Sequence, residues 1–340
     1  MDLGASFGNE RDCRRLRHFA WATVWMTFGL VILGSAVRAT DSGLSCPDWP
    51  ACYGQIIPHF DYQIFLEWFH RAVAGVVTIL FLITGTLILR SATFKKVFLP
   101  QIIVSVVLLS IQIVLGGLTV LHLLDPKIVS FHLGNALLFF AVIVSIAIKA
   151  SAIAGRTYQM EKISSKNLAL ISLIPVVVFI QIFIGGMVSS NHAGMACPDF
   201  PACHGSFWPP EGFQLRLQMV HRYGALAVLL YTMVVHRLAI GEKLQTSQRA
   251  LLRSMPSLVL MQITLGLVNI MYKIPVWASV AHLAMAVTIF TAATYMTLRF
   301  HLNRWATRDV PFADGTGRVV RQAQFIIADS VGVGEPGTQQ

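Results

Sequence analysis

The sequence predicts an all-α integral membrane protein whose eight transmembrane helices form two parallel-repeat four-helix bundles. Of the 340 residues, 55% are hydrophobic and 12% are charged, which is about half of the charged fraction that soluble domains carry. Apolar stretches of about 20 residues, the length that crosses a bilayer core, recur along the chain. Short motifs also return at a nearly constant distance, which indicates a duplicated unit.

The apolar stretches are the predicted spans, and they set the domain boundaries. The spans lie at about residues 19–37, 68–89, 97–121, 129–148, 168–188, 216–235, 255–271 and 276–298. The chain then divides into a basic leader, an N-terminal half, a linker, a C-terminal half and a polar tail, at residues 1–18, 19–150, 151–167, 168–300 and 301–340. We expect the tail to be disordered, because it can bury little apolar surface.

Cysteine and histidine motifs carry the repeat. Residues 46–52, Cys-Pro-Asp-Trp-Pro-Ala-Cys, return at an offset of 151 as residues 197–203, Cys-Pro-Asp-Phe-Pro-Ala-Cys. Two histidines return with them at offsets of 151 and 150: His70 as His221, and His132 as His282. Each copy holds four spans, an even number, so both copies enter the membrane in the same direction and the repeats are parallel.

Basic residues are sorted by membrane side. With the N-terminus inside, the 26 Lys and Arg residues lie on the cytoplasmic side except Arg38, Arg71, Lys127, Arg216, Arg222 and Lys273. The positive-inside rule therefore places both termini in the cytoplasm and the cysteine loops outside. The net charge of +10 then reflects topology and contact with membrane lipid, and no nucleic-acid partner is expected. Because the short N-terminus is unlike a transit peptide, we expect a bacterial inner membrane.

Four of the five cysteines lie in the two longest outside loops. Cys46 and Cys52 share one loop, Cys197 and Cys203 share the other, and Cys13 lies in the leader. Because the outside is the oxidising side, we predict the disulfides Cys46–Cys52 and Cys197–Cys203. A zinc site is the alternative, but the C-x5-C spacing exceeds the usual one, and no comparable ligand pair stands nearby in each copy.

Four histidines lie near the outer ends of the even-numbered spans: His70, His132, His221 and His282. Each half thus offers two histidines from different helices at a similar depth, an arrangement that clamps a haem between two imidazoles. The alternative is that each histidine only makes a hydrogen bond between helices. Polar groups in spans are costly, and the repetition of the pair favours a metal ligand. We therefore predict one bis-histidine haem in each half.

One carboxylate breaks the equivalence of the halves. Glu67 lies three residues before His70, so a helix places both side chains on one face, whereas Gln218 stands at the matching position. We interpret the first half as the reacting site and the second as the electron-handling site. The alternative is that Glu67 is only an interfacial residue. Arg71 and Arg222 stand beside a histidine and could contact haem propionates or lipid head groups.

In combination these motifs resemble the haem A synthase family. The resemblance covers about residues 20–300 and rests on residues 46–52, 67–71, 131–135, 197–203, His221-Arg222 and His282. It implies a membrane oxidoreductase that oxidises the C8 methyl group of haem O to the formyl group of haem A, with water as the oxygen source. His70 and His132 would hold the substrate haem O. His221 and His282 would hold a haem b cofactor, and Glu67 would be the catalytic acid.

The resemblance also implies partners. They are the farnesyltransferase that supplies haem O, a terminal oxidase under assembly and an unidentified membrane electron acceptor. No G-x-G-x-x-G fingerprint opens a βαβ unit in the sequence, so we expect a membrane haem to relay electrons. A homo-oligomer is left open.

Two other classes of protein stay open. A cytochrome b561-like electron carrier also binds bis-histidine haems between helices, but it needs no asymmetric Glu67 and usually places its haems near opposite faces. A disulfide-generating membrane oxidoreductase would use the outside cysteine pairs, but it has no need for four histidines within spans.

Overall fold

The computed structural model describes residues 10–154, 163–208, 211–309, 312–313 and 319–320, and the side chains only as far as residue 301. Eight helices account for most of these residues. They are α1 (Glu10–Ala39), α2 (Tyr62–Arg90), α3 (Ala92–Leu121), α4 (Pro126–Ile153), α5 (Ser165–Ser190), α6 (Phe213–Leu238), α7 (Thr246–Met271) and α8 (Val276–Asp309). A short 3-10 helix, Ala193–Met195, lies between α5 and α6, and the strands β1 (Phe312–Ala313) and β2 (Val319–Val320) pair antiparallel.

The structure is that of a multi-pass membrane protein. Seven of the helices are long and apolar enough to cross a bilayer, and α4 is the most deeply buried of them. Helix α6 is the exception, although its 26 residues match α5 and α7 in length. It carries His221, Arg222, His236 and Arg237, which lower its mean hydropathy. That α6 crosses the membrane, the sixth of the predicted spans, therefore stays a prediction.

All eight helices are longer than the predicted spans, and α1 and α8 enter the segments predicted as leader and tail. Helix α1 begins at Glu10, inside the predicted leader, where Glu10 pairs with Arg14 one turn later and adds negative charge to the helix start. Helix α8 continues to Asp309, inside the predicted tail. Much of the segments assigned as leader, linker and tail, namely residues 1–9, 155–162, 310–311, 314–318 and 321–340, lies outside the described residues.

Helix neighbours follow the same pattern in both halves. Helices α1 and α3 each pack against α2 and α4, and helices α5 and α7 each pack against α6 and α8. The halves meet where α4 packs on α5 and where α8 packs on α1 and α4. A Cβ on Gly134 of α4 would lie 2.9 Å from Phe183, and one on Gly186 of α5 would lie 2.9 Å from Leu133. These two glycines let the helices of the two halves approach closely, as small residues do in membrane bundles.

Aspartate caps fix where the two histidine helices of the N-terminal half begin. The Asp61 side chain accepts hydrogen bonds from the backbone of Gln63 and Ile64 and so starts α2. Asp125 caps α4 in the same way, with Pro126 in the first turn. Both helices start at the end of the bundle that carries loop residues 40–61 and 191–208, which we call the loop face. The caps thus set the depth of the histidines below that face.

Each cysteine loop is closed by a disulfide and by an aspartate turn. Cys46 bonds to Cys52 and Cys197 to Cys203. Asp48 accepts hydrogen bonds from the backbone N–H of Gly54, at 2.7 Å, and of Tyr53, at 2.6 Å. These bonds, chiefly that from Gly54, hold the pKa of Asp48 below its ordinary value.

The second loop repeats this turn. Asp199 accepts from the backbone N–H of Gly205, at 2.9 Å, and of His204, at 2.8 Å. The Gly205 bond is again the main cause that lowers the aspartate pKa. Both glycines and the residues before them have positive φ angles, which glycine adopts without strain. The two loops therefore share one backbone design.

An arginine from the following helix anchors each loop. Arg71 Nη1 donates to the carbonyls of Asp48 and Ala51, at 2.7 and 2.6 Å, and Nη2 donates to that of Cys46, at 3.2 Å. Arg222 makes the equivalent bonds to Asp199, Ala202 and Cys197, at 2.8, 2.6 and 2.5 Å. The planar guanidinium fork suits several acceptors at once. Both arginines thus bind loop carbonyls, and their contact with a haem propionate stays a prediction.

Replacing Arg222 by lysine should loosen the second loop. The ammonium group cannot present the fork, and hydrogen bonds from a charged donor contribute about 1.5–3 kcal/mol each. We expect Cys197 and Cys203 to be reduced and alkylated several-fold faster by a mild reductant, measured by mass spectrometry. The matched control is Arg216→Lys on the same helix. Equal labelling rates in the two variants would contradict the anchoring role.

Candidate functional site

The four predicted histidines lie at the loop-face ends of four different helices. His70, His132, His221 and His282 occupy α2, α4, α6 and α8 and are half-buried. Each is about two turns from the start of its helix. In the C-terminal half, the rings of His221 and His282 have centroids 6.4 Å apart and planes inclined by 72°.

The separation of His221 and His282 fits a metal ion held between two imidazoles. Metal–nitrogen bonds of about 2 Å on each side, with half a ring added at each end, span roughly the observed 6.4 Å. Among the described residues, no three His, Cys, Asp or Glu side chains converge as a metal cluster. A pair of histidines suits a metal whose other ligands come from a macrocycle. The donor set therefore fits haem better than a bare zinc ion.

A glycine faces each imidazole from the neighbouring odd-numbered helix. A Cβ on that glycine would approach the Cε1 atom of the ring to between 2.9 and 3.3 Å. The pairs are Gly34 with His70 at 3.1 Å, Gly116 with His132 at 3.3 Å, Gly185 with His221 at 2.9 Å and Gly266 with His282 at 3.2 Å. The absence of a side chain is thus what allows each ring to lie against its neighbouring helix.

A glutamine amide accompanies three of the four imidazoles. Gln112 Nε2 lies 3.3 Å from both ring nitrogens of His132. Gln262 Nε2 lies 3.2 Å from both ring nitrogens of His282 and donates to the backbone carbonyl of His282 at 3.0 Å. Because an amide nitrogen only donates hydrogen bonds, these contacts place an N–H group beside the ring and supply no acceptor for an N–H of the imidazole.

The third amide holds His221. Gln181 Nε2 lies 3.0 Å from His221 Nδ1 and donates to the His221 carbonyl at 2.8 Å. Gln181 stands four residues before Gly185, as Gln112 stands before Gly116 and Gln262 before Gly266. Residues four apart share a helix face. The pattern Q-x3-G therefore presents to one histidine both an amide and the space left by the missing glycine side chain.

His70 has no such amide. Its Nδ1 atom is buried and has no hydrogen-bond partner among the described residues. Leu30 occupies the position four residues before Gly34. The packing against glycine is therefore present at His70, and the polar contact is missing.

A second amide supports the first-half glutamine only. Asn135 Nδ2 donates to Gln112 Oε1 at 2.6 Å and to the Leu108 carbonyl at 2.9 Å. Because the Leu108 carbonyl fixes which end of Asn135 is the donor, Gln112 must turn its oxygen to Asn135 and its nitrogen to His132. Met285 stands where the second half would need this asparagine, and Gln262 Oε1 is buried without a partner among the described residues.

Glu67 is buried and ties the first cysteine loop to α2. Its Oε2 atom accepts a hydrogen bond from the backbone N–H of Cys46 at 2.7 Å, and its Oε1 atom pairs with Arg71. Gln218, the counterpart, donates to the Gly194 carbonyl at 3.3 Å and leaves Oε1 without a partner among the described residues. A carboxylate with two donors and an amide with one acceptor therefore occupy matching positions.

Sequence reasoning found the histidines and Glu67 but missed most of the groups around them. Gln181, Leu30 and the support that Asn135 gives to Gln112 were not foreseen. The recurrence of Q-x3-G on α3, α5 and α7, with Leu-x3-Gly on α1, is the signal that could have found them.

Comparison with known proteins assigns the chain to a family. Residues 17–294 match the family described as "COX15-CtaA: Cytochrome oxidase assembly protein". The chain belongs to this family. A COX15-CtaA match of this extent contains all four histidines and both cysteine loops.

Relatives of the chain include proteins named "Heme A synthase". The protein of Shewanella oneidensis is 28% identical over 303 residues, which cover 76% of this chain and 89% of that protein. The protein of Geobacillus thermodenitrificans is 27% identical over 291 residues, covering 84% and 91%. That of Bacillus licheniformis is 30% identical over 234 residues, covering 63% and 70%.

Adding a methyl group at Gly185 tests the prediction that His221 and His282 bind haem, because it should weaken that binding. The new Cβ of Gly185→Ala would lie 2.9 Å from His221, so the ring must move away from Gln181. We expect a loss of affinity of about tenfold, as for other changes around metal-bound histidines, measured as haem per purified protein. Gly29→Ala is the control, since its Cβ would meet nothing within 4 Å. Unchanged haem content in Gly185→Ala would contradict the close packing.

Proposed function

We propose that this chain is a haem A synthase, which oxidises the C8 methyl group of haem O to the formyl group of haem A. The observation that carries the proposal is the two pairs of histidines, each histidine faced by a glycine, within a chain of the COX15-CtaA family. The names of the relatives support the same activity. The product would serve terminal oxidase assembly, and a farnesyltransferase would supply haem O.

The two halves would divide the work. His70 and His132 would hold haem O as substrate, and His221 and His282 would hold haem b. Glu67 supports this assignment because it stands on the same helix as His70, whereas the uncharged Gln218 stands near His221. The placement of all four histidines toward the loop face favours this enzyme over a b561-like carrier, whose haems usually lie near opposite faces.

The reaction converts a methyl group and one water into a formyl group, and it releases four electrons and four protons. The haem irons, when bound, supply the redox chemistry, and a membrane acceptor takes the electrons. Within the chain, Glu67 holds a negative charge beside the substrate site. Because both its oxygens already accept N–H donors, the carboxylate is fixed in orientation. A fixed charge can stabilise positive charge at the reacting carbon, and its remaining lone pairs can receive a proton from water.

We also propose an orientation of the chain in the membrane. The two halves would be parallel repeats, both termini would lie in the cytoplasm and the loop face would lie outside a bacterial inner membrane. The sorting of basic residues supports this orientation, and disulfides at the loop face are consistent with an oxidising compartment.

Histidine variants should separate the two sites. We expect His221→Ala and His282→Ala to lose haem b, because each removes an axial ligand of that site. His70→Ala and His132→Ala should retain haem b and fail to produce haem A. Pyridine haemochrome spectra of the purified variants measure both quantities. Equal loss of haem b from all four variants would overturn the division of labour.

Glu67→Gln tests the proposed chemistry. The amide keeps the shape of the side chain, and Arg71 retains its bonds to the carbonyls of Asp48 and Ala51, so we expect folding and haem binding to persist. Loss of the fixed charge should lower methyl oxidation by about 10²–10³-fold, measured as the ratio of haem A to haem O that co-purifies.

Gln218→Ala is the matched control for Glu67→Gln. It removes the counterpart side chain from the second half, and we expect it to leave the haem A ratio near that of the parent. If Glu67→Gln accumulates haem A at the parental level, Glu67 only holds the loop and the proposed chemistry at this residue is wrong.

A further inference from the structure

We infer that the tip of the first cysteine loop is embedded in the lipid bilayer beside α2. The tip comprises residues 56–60, Ile-Ile-Pro-His-Phe. Its location concerns how the chain sits in the membrane and does not depend on the proposed reaction. Three features indicate it: the exposure of the tip, the contacts of the tip with α2, and the continuity of the tip with the lipid-facing surface of that helix.

The tip presents large apolar side chains to its surroundings. Ile56, Ile57 and Phe60 are 89%, 72% and 82% exposed. Between Asp48 and Asp61 the loop contains no Asp, Glu, Lys or Arg. Contact of these side chains with water is unfavourable, and contiguous exposed apolar patches mark surfaces that bind protein or membrane. The tip is therefore a surface that favours a partner over water.

Contacts with α2 hold the tip against the side of the helix. The indole N–H of Trp68, on the second turn of α2, donates to the Ile56 carbonyl at 2.7 Å. At the other end of the tip, the ring of Phe60 packs on that of Phe65, in the first turn of α2, with centroids 5.8 Å apart. Both ends of the tip are thus attached to the beginning of the helix.

The same side of α2 is a continuous apolar stripe. Phe65 and Phe69 stack on each other, with centroids 5.6 Å apart and planes inclined by 8°. Both are exposed, as are Val76 and Ile79 further along the helix. The spacings of four, seven and three residues keep these side chains on one helix face. Because α2 is long and apolar enough to cross a bilayer, this exposed stripe is the surface that meets lipid, and Phe60 extends it into the tip.

The second cysteine loop lacks this continuation. Glu211 and Arg216 stand at the positions of Phe60 and Phe65, and both are exposed. Charged side chains are costly inside a bilayer, so they replace an aromatic contact that suits lipid by groups that suit water. We therefore expect the first tip to enter the bilayer and position 211 to remain in water.

Lipid is the partner that fits the first tip. Tyr62 and Trp68 flank it, and these two residue types are enriched where membrane proteins cross the interface between lipid and water. A protein partner would have to cover the lipid-facing stripe as well, because the tip and the stripe form one surface. Since His70 directly follows Phe69 on α2, an embedded tip would also fix the depth of this histidine relative to the lipid head groups.

Phe60→Trp places a fluorescent reporter at the tip and keeps an aromatic ring against Phe65. We would reconstitute the full-length protein in phosphatidylcholine nanodiscs and subtract the emission of the parent, which isolates the added indole. Lipid brominated on its acyl chains near the head group should quench this emission severalfold, whereas iodide in the water should change it little. Glu211→Trp is the matched control in the second loop, and it should show the opposite pattern.

A charge at the tip gives a second measurement. Ile57→Glu in the Phe60→Trp protein should expel the tip from the bilayer, because a carboxylate is costly there. Quenching should then pass from brominated lipid to iodide. Ile57→Leu in the same protein keeps the apolar surface and should leave quenching by lipid unchanged.

Several outcomes would overturn the embedded tip. Quenching of Phe60→Trp by iodide alone would place the tip in water, and quenching by neither agent would place it against a second copy of the chain. Equal lipid quenching in Phe60→Trp and Glu211→Trp, or in the Ile57→Glu and Ile57→Leu proteins, would show that the apolar tip does not determine insertion. Should Ile57→Glu fail to fold, the comparison of Phe60→Trp with Glu211→Trp decides by itself. None of these measurements requires haem, so failure of the proposed function would leave them unaffected.

Discussion

Four glycines allow the odd-numbered helices to reach the imidazoles of the even-numbered helices, and the rest of the site depends on that approach. A methyl group at any of these positions would come within 2.9–3.3 Å of a ring carbon, closer than ordinary packing allows. At three of the four positions the same approach brings the glutamine one turn earlier to within 3.0–3.3 Å of a ring nitrogen. Because lipid offers no hydrogen-bonding partner, polar contacts to the rings of His132, His221 and His282 come from these glutamines.

The two halves differ through a few side chains on one common frame. Helix neighbours, glycine contacts, disulfides and arginine anchors are the same in both. The differences are Glu67 against Gln218, Leu30 against Gln181, and Asn135 against Met285. In the first half Glu67 adds a charge, Leu30 stands where the second half has the amide of Gln181, and Asn135 holds the amide of Gln112. The proposed division of work between a substrate haem and a haem b would therefore depend on these side chains, since the helix neighbours are the same in both halves.

The features that the sequence revealed are those that recur in it. Cysteine pairs, histidine pairs and apolar spans could be predicted because each appears twice at one offset. Gln181 was missed because its counterpart at that offset is Leu30, so comparison of the halves shows a mismatch there; its true relatives, Gln112 and Gln262, lie on other helices. The anchoring role of Arg71 could not be predicted either, because it depends on how residues 46–52 fold back over α2.

Recognition of backbone by Arg71 and Arg222 has a consequence for how the duplicated loops diverge. The guanidinium groups bind carbonyl oxygens, which every amino acid supplies, so the anchor places little demand on the side chains of the loop. Phe200 stands at the position of Trp49 and His204 at that of Tyr53, while the aspartate that accepts the backbone hydrogen bonds of the loop is the same in both copies. The side chains of the cysteine loops can therefore change, and contact different neighbours, while the arginine and the aspartate keep the loop backbone in the same conformation.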